Sequence, residues 1–220
     1  MANTPDSEPG GGGDPFSRAY ASIREKLVRG ETAPGDQIVV TEAAKRLAIS
    51  PTPVREALAR LAGEGIVEDR RHHGFFAPLL SQFDLLELYD LCELYVSAAV
   101  REASRAARSV EMVMPANAEA HVPGGVSDPR QPLVALLRLS QNLRLVEQGE
   151  RVIDCLAAAL RAEAAQYGVA EPQPGRVDMD SSRHVLSEVR RRFRAHRRRA
   201  GTVAHAMAAA HRAKNRANMV

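Results

Sequence analysis

From Ile23 to Ala77 the chain reads IREKLVRGETAPGDQIVVTEAAKRLAISPTPVREALARLAGEGIVEDRRHHGFFA. Apolar Tyr20, Ile23, Leu27 and Val28 recur at helical spacing, so a helix starts near Phe16 and stops at Gly30 and Pro34-Gly35. Thr41 is placed to cap a short second helix that carries Ala43, Ala44 and Leu47 on one side. Ile49-Ser50-Pro51-Thr52-Pro53 turns into a third helix, with Ser50 or Thr52 as its cap and a proline in its first turn, where no N–H is needed. Val54, Leu58 and Leu61 form its apolar stripe, and Gly63 and Gly65 end it. Ile66-Val67-Glu68 and Gly74-Phe75-Phe76-Ala77 are short β-prone runs around the polar tip Asp69–Gly74. Three helices followed by a basic-tipped hairpin predict a winged helix-turn-helix over residues 15–78. Residues 1–14 are Gly-rich, lack periodicity and read as a flexible tail.

Composition narrows the remainder. The 220 residues are 45% hydrophobic, which excludes wholesale disorder. No apolar run approaches the roughly 20 residues of a membrane helix, and the N-terminus has neither a basic start nor an apolar core. Two cysteines, Cys92 and Cys155, make no disulfide framework, so a cytoplasmic protein is expected. Net charge is only +3, but eleven Lys and Arg stand against one acid, Glu188, between Arg183 and Arg216. Such a basic segment reads either as a solvated helix face around Phe193 or as a source of non-specific phosphate contacts.

After Pro78 the pattern becomes long helices. Leu85, Leu88, Cys92, Tyr95 and Ala99 make one stripe, opposite Glu87, Asp90, Ser97, Arg101 and Arg108, predicting one amphipathic helix over 82–109. Pro115, Pro123, Gly124, Gly125 and Pro129 predict a loop over 114–132. Helices are expected at about 132–147, 150–167, 180–199 and 201–216, with a linker over Gly168–Gly175. Residues 79–220 therefore read as an all-α bundle, and the fold class is mainly α with a small β-hairpin wing.

The chemistry of the first unit is that of DNA reading. A helix fits the major groove of B-DNA, where base edges present distinct donor and acceptor patterns. Residues at the start of the third helix face those edges. Ser50 and Thr52 are short hydroxyl residues that permit close approach, Arg55 lies one turn on, and Thr41 and Arg46 flank the same groove. His73 and Gly74 at the wing tip are placed for the adjacent minor groove. The segment resembles the DNA-binding domain of the GntR family of bacterial transcription regulators: Gly30, Pro34-Gly35, Ala44, Leu47, Ser50, Thr52 to Leu58, Leu61 and Glu64-Gly65 fall in that family's register. Matching positions contact operator DNA in relatives. Pro51 departs from the pattern, which usually has Arg there.

The long helix after the wing resembles the FadR branch, whose effector module is called FCD. Asp84 to Leu91 looks like the opening of that module, and Leu139 to Val146 resembles its asparagine-containing segment. The resemblance implies a bundle-core site for a divalent metal such as zinc, held by one Asp and three His beside a carboxylate ligand. Asp128 is near the expected Asp, and the expected first His falls at about Leu133. His184 stands for the second. His205 or His211 stands for the third, and helical geometry prefers His211 because His205 points away from the Val203–Met207–Ala210 stripe. Cys92 replaces an Arg common in the module's first helix.

The expected function is a dimeric transcriptional regulator, a repressor on an inverted-repeat operator, responsive to a small-molecule effector such as a carboxylate. It would act in the cytoplasm on the bacterial nucleoid, with operator DNA and a second copy as partners and no membrane. Two alternatives remain open: an architectural protein that binds DNA without sequence preference, and a regulator that senses no ligand. No G-x-S-x-G, P-loop, G-x-G-x-x-G or H-E-x-x-H motif occurs, so no enzyme is expected.

Overall fold

Asp14 opens the first helix: its carboxylate accepts from the Ser17 amide at 3.2 Å, and Pro15 follows at the first helical position. The computed structural model of the chain describes residues 14–106, 128–168 and 179–217. Asp14, expected in the tail, is thus the cap of α1 (Pro15–Arg29), while 1–13 lie outside the described residues. Gly30, with φ of 77°, ends α1 in the left-handed conformation that glycine adopts without strain.

Next come β1 (Gln37–Ile38), α2 (Val40–Leu47), α3 (Pro51–Gly63), β2 (Glu68–Arg70) and β3 (Gly74–Phe76). The strands form one antiparallel sheet in the order β1-β3-β2, with Gln37 opposite Phe76 and Arg70 opposite Gly74. The winged helix-turn-helix is as expected, with three corrections. β1 joins the wing as a third strand. Ile66 and Val67 are core plugs, each 3% exposed, and the strand begins after them. Thr41 is not the cap of α2; Val39 precedes that helix without a side-chain cap, and Thr41 sits in its first turn. Ala19, Ile23, Val54, Ala57, Leu58 and Leu61 fill this unit's core.

Among the described residues five helices follow: α4 (Gln82–Ala106), α5 (Gln131–Leu137), α6 (Leu143–Cys155), α7 (Ala157–Tyr167) and α8 (Met179–Ala217). Their core is a second cluster around Leu85, Tyr89, Leu137, Ile153, Phe193 and Val203. Ser97, expected outside, is buried on α4. The helix expected over 132–147 is broken in two, and the Asn142 side chain caps α6 by accepting from the amides of Arg144 and Leu145. The two C-terminal helices are instead one of 39 residues. Gly201 does not interrupt it; a Cβ there would come within 3.0 Å of the Gln82 side chain, so the glycine lets the start of α4 cross closely. Of the loop expected over 114–132, residues 114–127 lie outside the described residues, as do Arg108 and the linker beyond Gly168, and its last two residues already belong to α5.

Candidate nucleic-acid interface

The outer face of α3 is built by its inner one. Val54, Ala57, Leu58 and Leu61 are each fully buried, so Thr52, Arg55, Glu56 and Ala59 are forced outward on one arc. Ser50 is the N-cap residue, yet its side chain makes no capping hydrogen bond, and its exposed hydroxyl remains free to meet a ligand. Pro51 fills the first helical position. Arg55 is exposed and makes no ion pair with any described residue. Glu64, one turn past the buried Leu61, is taken by Arg60 at 2.7 Å and by the Tyr20 hydroxyl, which donates at 2.6 Å. Ala59, one turn beyond Arg55, is small enough for a duplex to approach closely.

α2 carries Lys45 and Arg46, both exposed, and reaches α3 through Ala48, which takes a left-handed φ of 52°. Arg18 of α1 donates to the Leu47 carbonyl at 2.9 Å and fixes that corner. In the wing, Arg70 is not available to a partner: it pairs with Glu68 at 2.8 Å and lies 4.2 Å over the Phe76 ring. The tip is Arg71-His72-His73, all exposed, with His72 at φ 64°. Gln37 of β1 donates to the His73 carbonyl at 2.9 Å and ties the tip to the sheet. Ser50 stands at the N-cap of α3 and Thr52 and Arg55 lie on its exposed arc, Thr41 and Arg46 are exposed on α2, and His73 and Gly74 are on the wing. Lys45, Arg71 and His72 are further exposed basic or imidazole side chains on these elements, and Gln37 adds a tie to the tip, none of which the sequence singles out. A two-residue strand has no periodicity by which to find it.

Away from this face, a cavity of about 410 Å³ opens between α5, α7 and α8, lined by Leu133, Leu160, Glu163, Arg192, His196 and Arg199, among others. Glu163, 4% exposed, contacts His196 Nδ1 at 2.6 Å and accepts from Arg199 at 2.9 Å. Burial raises its pKa, but the hydrogen bonds and charges of His196 and Arg199 outweigh burial and hold its carboxyl below the ordinary range. Arg197 clamps Asp90 at 2.6 Å and also pairs with Glu93, both on α4. Arg197 and Arg199 of the arginine run thus clamp α8 to α4 and α7 beside the fully buried Phe193, while Arg190, Arg191, Arg194 and Arg198 are exposed and form a solvated face.

The residues named for a metal are not brought together. Asp128 is engaged by Arg130 at 2.7 Å. His184 and His211 lie 27 residues apart on the single helix α8, about 40 Å at 1.5 Å per residue. His211 instead packs its ring against Gly35, and His205 is exposed. Among the described residues no three His, Cys, Asp or Glu could share an ion. This donor set does not fit the metal, because the separation of the two expected helices on which it depended does not exist. Burial pushes the Cys92 thiol up to about 12 and Cys155 to about 11, so neither is a nucleophile at neutral pH.

Two groups join the units. Asp154 of α6, 5% exposed, accepts from Arg24 of α1 at 2.6 Å and from Arg130 at 2.6 Å. Arg161 of α7 caps α1, donating to the carbonyls of Val28 and, at 3.2 Å, Leu27.

Residues 15–77 match the family model described as bacterial regulatory proteins, gntR family. The Nta operon transcriptional regulator of Aminobacter aminovorans is 40% identical over 81 residues, which are 37% of this chain and 39% of that protein. An HTH-type transcriptional regulator of Agrobacterium vitis, from the TAR-I ttuE-ttuC' intergenic region, is 32% identical over 142 residues, 64% of this chain and 78% of that one. The chain belongs to the GntR family. As a GntR protein it is a transcriptional regulator with a DNA-binding winged helix-turn-helix. The E. coli protein McbR/YncC matches over 88% of this GntR chain and 93% of its own, at 17% identity and a TM-score of 0.49. No described helix is long and apolar enough to cross a membrane.

Proposed function

We propose that this GntR regulator is a dimeric, effector-responsive repressor of the FadR branch, with an FCD-type helical domain, acting in the cytoplasm on the bacterial nucleoid at an inverted-repeat operator. The observation that carries the reading is the outer face of α3: an exposed Thr52 and an unpaired Arg55 on a helix whose other face is locked into the core. In this reading α3 lies in the major groove, where Arg55 donates to guanine and Glu56 has the chemistry to accept from cytosine. Ser50, Thr41 and Arg46 hold phosphates and fix the register, since such contacts position without specifying. His73 and Gly74 follow the backbone into the adjacent minor groove. Two heads on a two-fold axis read two half-sites.

The cavity is lined by Arg191, Arg192, Arg198 and Arg199 against Glu163 and Glu188, a positive balance that suits a small carboxylate. Because Asp128 is paired and the histidines are apart, the effector would be held by arginines of this lining directly, without a metal. Arg130, next to the cavity-lining Pro129 and Pro132, reaches α1 through Asp154 and Arg24, so occupancy could bias how the head sits. That bias is bounded by the effector's differential affinity for the two head positions.

Selection of duplexes from a random pool by the full chain tests the reading. Enrichment of an inverted repeat, retained against excess competitor DNA at 150 mM salt, is the expected result. Recovery of unrelated sequences, with affinity that follows salt alone, would favour an architectural protein. A thermal-shift screen of small dicarboxylates tests the cavity: stabilisation lost in Arg199→Ala is expected, and no shift with any acid would mark a regulator that senses no such ligand.

A further inference from the structure

We propose that the outer face of α4 is where two copies of this chain dock, antiparallel, with Leu94 on the two-fold axis. The proposal deepens the dimer reading above and rests on it. Phe83, Leu91 and Leu94 are 79%, 45% and 60% exposed, three of the six large apolar side chains so exposed among the described residues, and all three are on this helix. At 100° per residue they share an arc of about 100° with Glu87, Asp90, Ala98, Arg101 and Arg105. The opposite arc, through Leu85, Tyr89, Cys92 and Val96, is sealed in the bundle core. Single exposed apolar residues need no explanation, but an aligned set on one 25-residue helix does.

The spacing says what covers it. Measured from Leu94, the stripe runs four, seven and eleven residues toward the N-terminus, to Asp90, Glu87 and Phe83. It runs the same four, seven and eleven toward the C-terminus, to Ala98, Arg101 and Arg105. These three-four steps are the spacing by which one helix packs its side chains into another. A stripe symmetric about one residue can meet its own copy with the direction reversed, as an isologous contact requires. In that arrangement Leu94 meets Leu94, Glu87 meets Arg101, and Phe83 meets the stem and guanidinium of Arg105. Asp90, already bound by Arg197, meets the small Ala98. Parallel packing would set Glu87 on Glu87 and Arg101 on Arg101. Among the described residues Glu87, Arg101 and Arg105 make no ion pair within the chain, so their charges are available across the axis. The acidic N-terminal half and the basic C-terminal half are thus complementary to a reversed second copy and not to a parallel one.

Sedimentation equilibrium of the full chain, with circular dichroism to confirm that each variant folds, tests the inference. The wild type should be a dimer. Leu94→Glu sets two carboxylates face to face on the axis and should weaken the dimer roughly 100-fold. Glu87→Arg and Arg101→Glu should each weaken it, and the two together should restore it, because the reversed register re-forms the pair with signs exchanged. Leu94→Cys should cross-link as a symmetric disulfide on oxidation. A dimer indifferent to Leu94→Glu, or singles not rescued by the double variant, overturns the α4 assignment while leaving a dimeric regulator intact. A wild type that is monomeric at tens of micromolar overturns both.

Discussion

Arg55 is the residue on which specificity turns. It is exposed, unpaired among the described residues, and carried on a helix that cannot rotate, because Val54 and Leu58 beside it are fully buried. Arg55→Ala should leave the melting temperature unchanged and cost about 1–3 kcal/mol of binding to the selected operator, relaxing the preference at one base position; anisotropy titrations on single-substituted operators read both. Gly149 makes the converse point. Alanine favours helix by about 1 kcal/mol over glycine, yet a Cβ at 149 would come within 2.7 Å of both methyl groups of the fully buried Leu137. Overpacking of this kind costs about 1–3 kcal/mol, so Gly149→Ala should lower the melting temperature. The α3 residues were legible in the sequence because they follow from local spacing and one turn. Gln37 and Gly149 were not, since what they do depends on contacts with chain 36 and 12 residues away.

At the scale of elements, the junctions decide behaviour. Asp154 stands between Arg24 of α1 and Arg130 at the start of α5, and removing one member of a buried ion pair costs about 3–5 kcal/mol. Asp154→Ala should therefore lower stability, and Arg24→Ala, whose side chain is more exposed, should do so less. If the relay carries the effector's influence, Arg24→Ala should also reduce any effect of a bound carboxylate on operator affinity. Glu163 links α7 to α8 in the same way. Its carboxyl is held below the ordinary value near 4.5. Its contribution is thus complete above that value and is lost as pH falls through the lower folded-state value. Acid melts of the wild type should show this loss, and Glu163→Gln should flatten the profile. Helix existence was readable from periodicity, but boundaries were not: the break expected between 199 and 201 is absent and Gly201 is a crossing point, and Ser140 and Asn142, expected mid-helix, form a corner. Within the arginine run, sequence cannot show that Arg197 meets Asp90 and Glu93 and that Arg199 meets Glu163, while its other members stay largely at the surface.

At the scale of the molecule, two apolar cores meet along α1, α6 and α7, with Cys155 of α6 packed against the core of the head. The head was legible almost throughout, because helix-turn-helix geometry is set by residues close in sequence. The helical domain was legible only as a bundle. Its metal site failed on a question of connectivity, whether α8 is one helix or two, that no local signal answers. The dimer would convert two α3 faces into one instrument with a fixed spacing. The most direct test of that account is the affinity of wild type and Arg55→Ala for an inverted-repeat operator obtained by selection, measured with excess competitor DNA at 150 mM salt. We predict tight wild-type binding with a loss of roughly tenfold or more in the variant. Equal affinity of the two proteins for that operator would contradict the reading of DNA by α3.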